Sequence, residues 1–119
     1  VQIPDKNVLK SLLKLSYLTE PQLEALLIEL GSANLGRKMT IREKARIRGV
    51  SKGAYARTMR QAIDNIKRSI YTLFLLRYLG VLGDEAVSAI IEAADLLKKG
   101  MVEEAANLIS SVTPRDITQ

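Results

Sequence analysis

The sequence predicts an all-α fold, and three observations carry that prediction. Apolar residues recur at spacings of three and four along most of the 119 residues. No stretch of four or more residues alternates apolar and polar as a half-buried strand would. Helix-capping combinations stand where the apolar stripes begin. The expected architecture is a helical bundle with two helices crossing at a tight turn, a long helix after the turn, and a C-terminal helical hairpin, with no β-wing.

Each element has its own justification. Val8, Leu9, Leu12 and Leu13 form one helical stripe after Pro4-Asp5, with Asp5 as the N-cap. In "YLTEPQLEALLIELG", Thr19 and Gln22 have capping-box spacing and Pro21 fits only a first turn. Leu23, Leu26, Leu27 and Leu30 are the expected buried stripe, and Gly31 the expected stop. After a loop at 31–39, a short helix is expected from Thr40 to about Arg48, ended by Gly49. Ser51 then caps a long helix, about 52–79, whose apolar positions run from Tyr55 and Met59 through Ala62, Ile63 and Ile66 to Phe74. Beyond Ile70 this helix is apolar on nearly all sides, so another element or another chain must cover it. Gly80 and Gly83 break the chain. Asp84 is expected to cap a helix with Val87, Ile90, Ile91, Ala94 and Leu97 on its inner face, and a last helix places Val102, Ala105, Ala106 and Ile109 on one face. The division is therefore 1–79, with its turn at 49–51, and 80–119, an acidic hairpin packed on the same core or used in assembly.

Composition narrows the function. The chain has no cysteine and no histidine, which argues against disulfides, thiolate or imidazole metal sites and the usual neutral-pH general base. No metal and no cofactor is expected. The acid pairs Asp84-Glu85 and Glu103-Glu104 lie near helix starts, where they suit the helix dipole better than catalysis. "GSANLGRKMT" has Met39 where a phosphate loop needs Ser or Thr, and no strand precedes it. An enzyme is not expected. Neither a signal peptide nor a membrane span is read, so the expected location is the cytoplasm. The net charge of +5 is unevenly placed. Residues 37–77 hold twelve Lys or Arg against Glu43 and Asp64, whereas both flanks are mildly acidic. A basic block of this kind is the footprint of a polyanionic partner.

The middle of that block is "TIREKARIRGVSKGAYARTMR" (40–60). Two helices meeting at a tight turn need a small residue at the crossing, here Ala45, and a residue that reaches positive φ, here Gly49. Val50 fills the space between the helices, Ser51 caps the second, and Tyr55 falls on its buried face. This order resembles the helix-turn-helix of DNA-binding proteins. Over residues 17–68 the chain also resembles region 4 of bacterial sigma factors and related regulators. There an "LT-x-x-Q" helix precedes "T-x-x-E-x-A-x-x-x-G-V-S", matched by Leu18, Thr19, Gln22, Thr40, Glu43, Ala45, Gly49, Val50 and Ser51. Tyr55 stands where that pattern usually has a smaller aliphatic residue, and Lys44, Arg46 and Arg48 make the first helix unusually basic.

The resemblance, with helix geometry, implies roles. Ser51, Lys52, Gly53, Ala56, Arg57 and Arg60 would face a major groove, with Arg57 and Arg60 the candidates for guanine O6 and N7. Arg37, Lys38, Thr40 and Arg42 would touch phosphates. Lys67 and Arg68 lie beyond the groove. Tyr55, Tyr71 and Tyr78 are expected in the core rather than stacked on bases. The implied activity is sequence-specific or semi-specific binding of double-stranded DNA, by a transcription regulator or nucleoid-type factor. A homodimer is expected through the apolar half of the long helix and the hairpin. Two alternatives stay open: a non-catalytic subunit that uses the same basic helix on an acidic protein partner, and structured-RNA binding.

Overall fold

A computed structural model describes residues 5–114 of the chain. Among these residues every regular element is helical. The helices are α1 (Lys6–Leu15), α2 (Glu20–Ala33), α3 (Ile41–Arg48), α4 (Lys52–Leu79), α5 (Asp84–Lys98) and α6 (Val102–Val112). The chain is all-α. Pro4 and Arg115 lie outside the described residues.

Most boundaries follow from local chemistry. Asp5 Oδ1 accepts from the N–H groups of Asn7 (2.8 Å) and Val8 (3.2 Å), which caps α1. Thr19 with Gln22, and Thr40 with Glu43, close full capping boxes at α2 and α3. Ser51 Oγ accepts from Ala54 N–H at 3.1 Å at the start of α4. Two expectations fail here. Gly31 does not end α2: the helix continues to Ala33, and Asn34 Nδ2 donates to Leu30 O (3.1 Å) past it. Asp84 is not a cap either. Gly83 takes that position without a side-chain bond, and the Asp84 carboxylate instead accepts from Arg77 at 2.7 Å.

The described residues form two compact units, Leu9–Ile70 and residues 71–114 together with 5–8. In the first unit α2 contacts α3, and Ala25, Ala45 and Tyr55 form the buried centre with Ile28 and Met59 against it. Leu27 and Leu30 remain exposed, while Gln22 and Ala25 are buried. Leu23 and Leu26 are half-buried, so the contact surface of α2 covers only part of the expected leucine stripe. Gln22 Oε1 accepts from Asn65 Nδ2 (2.9 Å) and Thr19 N–H (3.2 Å), so a buried amide oxygen is satisfied while α2 is tied to α4.

In the second unit α5 packs on α6. The buried residues are Ala86, Ala89 and Ala93 on α5 and Ala105 on α6, which lets the two backbones approach closely. Of the expected inner faces, Ala105 is buried and Leu97 half-buried, but Val87, Ile90, Ile91, Ala94, Val102, Ala106 and Ile109 are exposed. Tyr71 and Tyr78 are exposed as well, which corrects their placement in the core.

Candidate nucleic-acid interface

The geometry of the middle segment starts at Glu43. Its carboxylate accepts two bonds from the Arg37 guanidinium (2.8 and 3.2 Å) and one each from Thr40 N–H and Thr40 Oγ1 (both 3.3 Å). The Arg37 hydrogen bond, then that of Thr40 N–H, holds the Glu43 carboxyl down at about 2. Arg37 and the Thr40 hydroxyl are therefore committed to the start of α3. Of the four expected phosphate contacts, Lys38 and Arg42 are exposed without an acid partner among the described residues.

Two further cations of α3 fasten it to α2. Lys44 Nζ donates to Glu29 Oε1 at 2.9 Å, and Arg48 Nε to Glu24 Oε2 at 2.8 Å. The other oxygen of Glu29 accepts from the Tyr55 hydroxyl at 2.6 Å, and the same hydroxyl lies 3.4 Å from Ala25 O. Glu29 on α2 thus joins α3 and α4. Desolvation pushes its carboxyl up, but the hydrogen bonds from Tyr55 and Lys44 and the Lys44 charge outweigh it and leave the pKa lowered. Desolvation and Glu29 push the Tyr55 phenol up. Tyr55 and Lys44 thus serve the same partly exposed carboxylate.

The turn itself rests on Gly49, with φ 78 and ψ 31. Gly49 N–H donates to Arg46 O (3.1 Å) and Val50 N–H to Ala45 O (3.0 Å), a pairing that satisfies the last carbonyls of α3. The same pattern recurs at Gly80 and Gly100, which end α4 and the α5 segment. Ala45 and Tyr55 are buried, and Val50 keeps 36% of its surface exposed. A Cβ built on Gly49 meets nothing within 4 Å, so the residue is needed for its backbone angle, not for space.

Ser51 before α4 and Lys52, Gly53, Arg57 and Arg60 on it are exposed, whereas Ala56 is half-buried beside Tyr55. Five of the twelve cations in residues 37–77 pair with acids: Arg37, Lys44, Arg48, Arg68 and Arg77. The other seven are Lys38, Arg42, Arg46, Lys52, Arg57, Arg60 and Lys67. All are exposed, and none pairs with an acid among the described residues. Arg46 was not among the expected contacts; its i, i+4 relation to Arg42 is the signal that places both on one face of α3. No three acidic side chains gather to hold a metal ion among the described residues, and no described helix is long and apolar enough to cross a membrane. Comparison with protein-family models, curated proteins and solved structures finds no match to this chain.

Proposed function

We propose that residues 38–67 form a helix-turn-helix that binds double-stranded DNA, with the N-terminal half of α4 lying in the major groove. The observation that carries this reading is the set of seven exposed cations left after internal ion pairing. Binding, not chemistry, is the activity. Lys38, Arg42 and Arg46 neutralise phosphates and release counterions, which supplies affinity. Arg57 and Arg60 reach base edges, where a guanidinium donates two bonds to one guanine. Gly53 and Ser51, small and exposed, let the helix start come close to the backbone. The role is that of a transcription regulator or nucleoid-type factor acting in the cytoplasm.

The test is a titration against duplex DNA, structured RNA and single strands, followed by Arg57→Ala and Arg60→Ala on a selected site and on a scrambled duplex. The expected outcome is preference for duplex DNA and a loss of about 1–3 kcal/mol of discrimination per arginine. Preference for structured RNA, or binding only to an acidic protein, overturns the reading. Equal losses on both duplexes leave DNA binding in place but remove base recognition.

A further inference from the structure

In the second unit, Tyr71, Phe74, Leu75 and Tyr78 share one exposed side of α4 at i, i+3, i+4 and i+7 spacing. These four residues are 69, 70, 55 and 87% exposed. We propose that this Tyr71–Tyr78 face is the contact between two copies of the chain.

Area is the first support. Taking about 200 Å² for an aromatic side chain, Tyr71, Phe74 and Tyr78 offer roughly 450 Å² per copy. That is more than half of the ~800 Å² per partner in an interface of standard size, and the neighbouring leucines add to it. The compact unit that carries this face makes the need plain. Its buried apolar residues are Ala86, Ala89, Ala93 and Ala105, with no large side chain fully buried among the described residues. A small unit whose fully buried residues are alanines, with leucines such as Leu96 and Leu97 only half-buried, gains from covering further apolar surface.

Charge selects the occupant. Residues 70–79 contain one charged residue, Arg77, and Asp84 neutralises it at 2.7 Å. A two-fold contact sets a patch against its own copy, so any unpaired charge would face itself or its neighbour's like charge. This patch presents none. A strongly acidic or basic partner would find nothing to pair with, whereas a second copy meets a matching aromatic surface. The inference does not depend on the DNA reading, and its test contains no nucleic acid.

The test is sedimentation of the full chain, whose monomer mass is 13.2 kDa. The wild type is expected at twice that mass at micromolar concentration. Phe74→Glu should raise the dissociation constant by about tenfold or more with helical content unchanged, since an aromatic anchor is lost from the contact. Tyr78→Glu, at the most exposed position, serves if Phe74→Glu perturbs folding. Because the chain has no cysteine, oxidation of single variants reports proximity. At least one of Tyr71→Cys, Leu75→Cys and Tyr78→Cys should cross-link, and Arg60→Cys should not. A monomer at every concentration overturns the proposal, as does a dimer indifferent to both glutamate variants. Adsorption to neutral lipid vesicles without self-association would assign the face to a membrane surface and overturn it equally.

Discussion

Glu29 is the residue on which α2, α3 and α4 depend together, because its two oxygens accept from Lys44 and Tyr55. Glu29→Gln removes the charge from both bonds, each of the kind worth about 1.5–3 kcal/mol when one partner is ionised. Partial exposure of Glu29 and Lys44 reduces this, so a loss of about 1–2 kcal/mol is expected by thermal melting. The pH dependence has a definite sign. The folded carboxyl titrates below its ordinary 4.5, so its contribution is present above that value and is lost as pH falls through the folded pKa. Glu43 behaves alike, and its share is lost between 4.5 and about 2. Melting temperature should therefore fall below about pH 4.5, less steeply in Glu29→Gln than in the wild type. Identical acid profiles would show that the Glu29 bonds do not form in solution. Lys44 and Tyr55 read in the sequence as departures from the sigma-like pattern. Their shared acceptor lies 15 and 26 residues away, which no local spacing reveals.

Among the elements, those with local causes are readable from the sequence alone. The caps at Asp5, Thr19, Thr40 and Ser51 involve bonds within three residues, and the bend at Gly49 needs one residue type. The inner side of α4 at Tyr55, Met59 and Ala62 was readable, but on α2 and α5 the inner side stayed hidden. Periodicity marked leucine and isoleucine stripes on α2 and α5, yet small residues make the close contacts: Ala25 and Ala45 in one unit, Ala86, Ala89, Ala93 and Ala105 in the other. Packing of backbones at short range selects alanine there, and larger neighbours such as Leu27, Leu30, Ile90 and Ile91 stay exposed. Gly31 misled for a related reason, since glycine inside a helix costs only about 1 kcal/mol and α2 tolerates it. Gly49 does not share that tolerance. With φ at 78 and open space around its Cβ position, Gly49→Ala should cost about 1–2 kcal/mol through the backbone alone. Gly49→Asn should cost less, because asparagine enters the left-handed region more readily. Melting of the two variants checks the order, and an unchanged Gly49→Ala would contradict the assigned turn.

For the whole molecule, the decisive quantity is how many of its cations are available to a polyanion. Net charge and the twelve cations of residues 37–77 overstate it, because acids already engage five of them. The basic block was legible in the sequence; its division into structural and free charge was not, since Glu24 and Glu29 reach α3 only through the fold. If seven cations remain and four to six of them contact phosphates, log K for duplex DNA should fall with log salt at a slope of roughly −4 to −5. The measurement that tests the central claim most directly compares this slope in the wild type, Arg42→Ala and Arg37→Ala. Arg42 is exposed and unpaired by acid, so its removal should flatten the slope by about one and weaken all sequences alike. Arg37 is held by Glu43, so Arg37→Ala should leave the slope nearly unchanged. A wild-type slope near zero, or equal losses at Arg37 and Arg42, would contradict the account.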